Sequence, residues 1–193
     1  MAIKTFTTGE VLTASDTNTY LANSGLTYIT GGTQSGSTAL NVDGVFTSTH
    51  TNYRLVMTNI ETATADRAIR INFRTSGTTN INAAYDYAYR GLRSNGTSGD
   101  TSLASQTFAE IGVFIGGFAN LALGSASIDI NSPQASKRTH GLSNASGFES
   151  GYFQFRNGGL VFNDTTSFDG FRISLNSTGN VAFEWQLYGY RKA

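Results

Sequence analysis

The residues that could do acid–base or metal chemistry are few and scattered. There are two histidines, His50 and His140, far apart and in polar surroundings, with no His-x-His or His-x-x-x-His pair. A triad or metal role for either needs partners from elsewhere in the fold. Glycan cleavage needs two acids across one bond, one of them kept protonated. The acids available for that are Asp86, Glu110, Asp129, Glu149 and Glu184. None sits in a motif, and Asp86 and Glu184 stand out only because they lie beside aromatics. Asn163-Asp164 and Asp169 are the residue types that hold calcium, but their spacing matches no calcium loop. There is no Gly-x-Ser-x-Gly elbow, phosphate loop or dinucleotide fingerprint. The reading is therefore of no catalytic residues, no metal site and no cofactor.

Composition narrows the classes further. The chain has 193 residues, enough to bury a core without a staple. It has no cysteine, which rules out disulfides, thiolate metal sites and Cys nucleophiles and fits assembly in a reducing cytoplasm. Lys+Arg and Asp+Glu are both 13, and charged residues make up 13% of the chain, about half the usual share. No basic run points to nucleic acid. No stretch approaches the ~20 apolar residues of a membrane span, and the opening has no apolar run long enough for a signal peptide. Weak surface charge removes long-range repulsion between copies, which suits dense assembly.

The elements that must carry any site are strands. From Leu26 onward, apolar residues recur at period two: Tyr53, Leu55, Met57; Ile69, Ile71, Phe73; Ala126, Ile128, Ile130; Phe153, Phe155; Phe171, Ile173, Leu175; and Val181, Phe183, Trp185, Leu187. Glu110 to Val113 is a weaker strand. Alternation means one buried and one wet face, the mark of antiparallel sheets. The 22 glycines and the pairs Asp43-Gly44, Asn95-Gly96, Asn157-Gly158 and Asp169-Gly170 read as turns. The fold class is all-β, an antiparallel β-sandwich of jelly-roll type. Ser94 to Gln106 reads as an exposed loop. Tyr85, Tyr87 and Tyr89 form a stripe, and Tyr188 and Tyr190 lie opposite the apolar face of the last strand. These five are the candidate surface or interface aromatics, for protein packing or a sugar ring.

Residues 1–25 differ from the sandwich at 26–193. Thr13 with Asp16 three residues on resembles a capping box, and a short helix from Ala14 to Ala22 follows, ended by Gly25. Such a helix is too short to stand alone, so it must dock. Phe6, Val11, Leu12, Tyr20 and Leu21 are its candidate contacts.

The opening FTTGEVLTASDTNTYLANSG resembles the leader of tailed-bacteriophage tail-fibre, minor tail and other virion structural proteins. Gly9, Glu10, Val11, Leu12, Thr13, Ala14, Asp16, Asn18 and Tyr20 carry the likeness. TNYRLVMTNI and AIRINFRTSG are similar to the first long strands of the sandwich that often follows, and FRISLNSTGNVAFEWQLYGYRK to its closing hairpin. The resemblance implies a non-enzymatic component of the virion. Its leader would be an attachment arm, and its sandwich would self-associate, commonly as a homotrimer, beside other phage head or tail proteins. It implies a short tail fibre or appendage, alternatively a capsid decoration protein, or a module that recognises host surface glycan. The sandwich follows the leader almost at once, so a long fibre shaft is not expected.

Overall fold

The computed structural model describes residues 7–11, 13, 25–63, 67–114, 124–149, 151–176 and 179–190. Among these residues thirteen strands run in chain order: β1 (Leu26–Ser37), β2 (Ala39–Val42), β3 (Asn52–Thr62), β4 (Arg67–Thr75), β5 (Thr78–Thr79), β6 (Tyr85–Arg93), β7 (Ser98–Gln106), β8 (Ala109–Phe114), β9 (Gly124–Asn131), β10 (Thr139–Glu149), β11 (Tyr152–Phe162), β12 (Gly170–Leu175) and β13 (Val181–Tyr190). The described residues contain no helix. The expected helix from Ala14 to Ala22, and Phe6, Leu12, Tyr20 and Leu21 with it, lie outside them.

The class is all-β with antiparallel pairing throughout. A large sheet has the order β1-β13-β3-β9-β10-β11-β6-β7, and a small one has β2-β12-β4-β5, with β8 on the same side of β4 as β5. The chain changes sheet repeatedly: β1 large, β2 small, β3 large, β4 and β5 small, β6 and β7 large, β8 small, β9 to β11 large, β12 small, β13 large.

One hydrophobic cluster draws on both sheets. Tyr53, Leu55 and Met57 of β3 face it, as do Ile69, Ile71 and Phe73 of β4, Ile128 and Ile130 of β9, and Phe183 and Leu187 of β13. Those positions are where the alternation places them. Aromatic rings link the two sheets. Phe73 stacks on Tyr85 at 6.0 Å and on Phe168 at 5.0 Å, and Phe171 meets Trp185 edge-on at 6.0 Å. In β3 the parity changes after Met57. Asn59 adopts a left-handed φ of 53°, the pairing slips, and Ile60 and Thr62 return to the buried side. This is a β-bulge.

Three expectations need correction. Ser94 to Gln106 is not a loop: a tight turn at 94–97 leads into β7, an edge strand. Its single large apolar residue, Leu103, leaves no alternation to read, because an edge strand with little to bury needs none. Asn157-Gly158 is not a turn but the middle of β11. There Gly158 is required by close approach of β6, since a Cβ would lie 2.6 Å from the Ala88 carbonyl oxygen and the Tyr89 Cβ. Asp169-Gly170 likewise opens β12, where a Cβ would meet the Val42 carbonyl oxygen at 2.1 Å. Asp43-Gly44 and Asn95-Gly96 do turn the chain, with left-handed glycines.

Candidate functional site

The strand pairing decides which side chains share the solvent face of the large sheet. On β11, alternation seen from the phenylalanines alone puts Phe153 and Phe155 in the core. The structure reverses this: Phe153 and Phe155 are 47% and 46% exposed, while Gln154 and Arg156 are buried at 2% and 6%. Gln154 Oε1 accepts from Arg156 Nε at 2.9 Å, and the Arg156 guanidinium lies 4.7 Å from the centre of the Tyr89 ring. The polar pair is thus satisfied internally and the phenylalanines turn outward.

The outward residues of β10, β11, β6 and β7 line up in cross-strand rows. One row is Leu142, Gly159, Ala88, Ser102; the next is Asn144, Asn157, Arg90, Asp100; the third is Ser146, Phe155, Leu92, Ser98. His140, Val161 and Asp86 extend the face beyond the first row, and Phe148 pairs with Phe153 beyond the third, their rings edge-on at 5.8 Å. Leu142 and Leu92 are 61% and 60% exposed. Between Leu142, Val161 and Leu103, the small Gly159 and Ala88 form part of the lining of an open groove of about 610 Å³, with His140, Asn131 and Asp86 also lining it. The middle row is polar: Asn157 Nδ2 donates to Asn144 Oδ1 at 2.6 Å, and Arg90 lies 3.7 Å from Asp100.

The described candidate acids are held in structural bonds. Asp86 accepts from the Ser105 amide at 2.8 Å and from Asn163, pinning a bulge at the end of β7 where Ser105 has φ 55°. Glu110 takes Arg70 at 3.3 Å. Glu184 accepts from Asn59 at 3.2 Å. Asp129 receives Arg54 through two bonds of 2.8 and 2.6 Å and the Tyr190 hydroxyl at 2.6 Å. Hydrogen bonding from Arg54 holds the Asp129 carboxyl below its ordinary value and raises Arg54. Asp169 Oδ2 accepts from the Ser76 amide, 93 positions away in the turn after β4, and Asp164 Oδ1 accepts from the adjacent Thr165 amide, so each is used in a structural bond. The Glu149 side chain is outside the description. Among the described residues no three His, Asp or Glu side chains gather where a metal ion would sit.

His50 is buried, edge-on to Tyr53 at 5.9 Å, and its ring occupies the space a Cβ at Gly189 would need. Its Nδ1 lies 3.2 Å from the Tyr190 carbonyl oxygen. A carbonyl only accepts, so the bond requires the proton on Nδ1. That is a packing histidine.

The aromatic candidates divide. Tyr85 and Tyr87 are core residues rather than surface ones, and Tyr89 is half-buried beneath Arg156. Burial raises the Tyr85 phenol to about 12 and raises Tyr87 further. Tyr188 and Tyr190 do face outward. Tyr188 bonds Gln186 and sits edge-on to the exposed Tyr28 at 5.8 Å. Near the N-terminus Val11 is exposed, and Thr7 and Glu10 form a reciprocal turn: the Glu10 amide donates to the Thr7 carbonyl and the Thr7 amide to Glu10 Oε2. In the sequence Leu92 and Leu142 each follow a glycine, and Phe153 and Phe155 alternate with Gln154 and Arg156; period two alone does not say which of the two faces is covered.

No protein-family model matches the chain, and no curated protein matches it.

Proposed function

We propose that the chain is a non-enzymatic structural component of a tailed-phage particle. Residues 1–25 are its attachment arm, and a jelly-roll β-sandwich formed by the two sheets is its self-associating body. The observation that carries self-association is the exposed apolar set Leu92, Leu142, Phe153 and Phe155 on the outer face of the large sheet. An outward apolar face of that extent on a folded domain marks an interaction surface. The described candidate acids are committed to bonds that hold strands and turns, which supports a binding rather than a hydrolytic role. The particle itself is supported by the leader, GEVLTA with the Asn- and Tyr-containing stretch after it.

A short tail appendage is the leading placement and a capsid decoration protein the alternative. Gold-labelled antibody on intact particles tests both: label on the tail favours the appendage, label over the head the decoration. Its absence from purified particles sinks the proposal. Deleting residues 1–25 is expected to leave a folded body that no longer joins particles.

Recognition of host glycan is the second reading. The observation favouring it is the Phe155 ring beside a field of short hydroxyl and amide side chains, Thr58, Ser125, Ser127, Asn144 and Ser146, in one shallow depression. Aromatic faces flanked by such groups suit sugar rings. A glycan array with the host's own polysaccharide tests it, and silence there removes it.

A further inference from the structure

We infer that the outer face of β10, β11 and β6 is a twofold interface between two copies of this chain. Phe155 of each copy sits over Gly159 of the other, and Leu92 over Ala88. This rests on the self-association part of the proposed function and specifies its surface.

The argument begins with the order of outward residues. Along β11 they are Phe153, Phe155, Asn157, Gly159, Val161; along β6, Asp86, Ala88, Arg90, Leu92; along β10, His140, Leu142, Asn144, Ser146, Phe148. Take the middle row, Asn144, Asn157 and Arg90, as a twofold axis lying between two apposed sheets. Each strand then meets its own copy reversed. Phe155 falls on Gly159, Leu92 on Ala88, and Leu142 on Ser146. Every large side chain of the flanking rows meets a small one. Phe153 falls on Val161 and Phe148 on His140 at the ends.

Sheets packed face to face stand ~10 Å apart with interdigitating side chains. Two phenylalanines head to head do not fit that spacing, whereas a phenylalanine over a glycine fills it. The groove along Gly159 and Ala88 is the recess, and the ridge of Phe155 and Leu92 is what fills it.

The row order and the area fit a second copy as the occupant. The exposed Leu92, Leu142, Phe153 and Phe155 present on the order of 400 Å² of apolar side chain, given ~150–250 Å² for a whole aromatic residue. That is within the range for the largest patch on a monomer. With the serines and asparagines between, the covered face is below the ~800 Å² per partner of a standard interface and fits a weak dimer. On the axis row each residue meets its own counterpart, and Arg90 lies 3.7 Å from Asp100 within each copy, so the row carries no net charge and the apolar rows on either side supply the attraction. Edge-to-edge joining through β7 is disfavoured by the Asp86-pinned bulge, a device that blunts edges.

The test uses the full chain in sedimentation equilibrium from about 1 to 100 μM, the range where weak self-association shows. A dimer mass is expected. Gly159→Phe is expected to lower dimer affinity more than tenfold without changing the melting curve. A Cβ there meets nothing closer than the Gly141 carbonyl oxygen at 3.6 Å, ordinary contact. Phe155→Ala is expected to weaken the dimer as well. The double variant Phe155→Ala/Gly159→Phe swaps large and small and is expected to recover it. If Gly159→Phe does not fold, Phe155→Ala and Leu92→Ser carry the same readout. A wild-type oligomer indifferent to these variants overturns the surface but keeps self-association. A trimer mass overturns the twofold axis. A monomer throughout overturns the interface and the self-association it rests on.

Discussion

The backbone amide of Phe73 donates to the phenol oxygen of Tyr85 at 2.8 Å, a hydrogen bond that joins β4 of the small sheet to β6 of the large one inside the core. The same two rings stack, and Tyr85 also meets Phe162 edge-on at 4.8 Å. Removing the hydroxyl strands a buried N–H. Tyr85→Phe is expected to cost about 1–3 kcal/mol in denaturant unfolding. Tyr87 is the control, since its hydroxyl is buried with no hydrogen-bond partner among the described residues. Tyr87→Phe is expected to be neutral or stabilising, because it relieves an unsatisfied group. Equal losses in the two variants would mean that the Phe73 bond carries no special weight.

The same burial predicts weakness in alkali. Unfolded tyrosines ionise near pH 10, as exposed phenols do. Desolvation keeps Tyr85 protonated to about 12, and Tyr87 and Tyr53 shift in the same direction. Above pH 10 the unfolded chain has released protons that the folded one retains, so stability falls as pH rises. It is untouched below about pH 10 and lost progressively toward 12, by about 2–3 kcal/mol for Tyr85 alone. Urea midpoints at pH 9, 10 and 11 measure this, and Tyr85→Phe should flatten the slope.

Two adjacent glycines on β11 should behave oppositely. Gly158 is pressed against β6, with a Cβ 2.6 Å from the Ala88 carbonyl oxygen and the Tyr89 Cβ. Backbone must move to admit it, so Gly158→Ala is expected to cost about 1–3 kcal/mol, as overpacking does. Gly159 opens to the outer face, and Gly159→Ala is expected to be neutral or to stabilise by up to about 1 kcal/mol through reduced backbone entropy of the unfolded chain. Thermal melts of the two variants decide it.

Arg74 makes five side-chain hydrogen bonds. Its Nε and Nη2 reach the two carboxylate oxygens of Asp43 at 2.7 and 3.1 Å; Nη1 reaches Asn41 Oδ1 at 3.0 Å and Thr79 Oγ1 at 2.6 Å; Nη2 also bonds the Gly77 carbonyl. Together these tie β2 and the β4–β5 turn. Lysine offers three donors from a single point and cannot copy the fork. Arg74→Lys is expected to lose about 1–2 kcal/mol and Arg74→Met about 2–3, less than a fully buried pair because Asp43 keeps solvent contact. Amide exchange at Gly77 to Thr79 should quicken in both.

What the sequence determined by itself is local. Period-two runs such as Ile69-Ile71-Phe73 and Val181 to Leu187 identify strands and antiparallel sheets, because alternation is a property of one strand's own geometry. Low, balanced charge and the absence of cysteine are likewise complete in the sequence. The tertiary structure decided which face of a strand is covered, and by what. β11 has two faces of alternating residues, and the Gln154–Arg156 pair, its guanidinium over the Tyr89 ring, takes the covered side and leaves Phe153 and Phe155 outward. Tyr85 left the surface for the core because Phe73 and Phe162 close over it, residues 12 and 77 positions away. Leu142, Gly159 and Ala88 became one groove only through the pairing of β10 with β11 and β11 with β6. Faces follow from chirality and bond geometry within a strand; neighbours follow from long-range contacts whose register no single strand encodes.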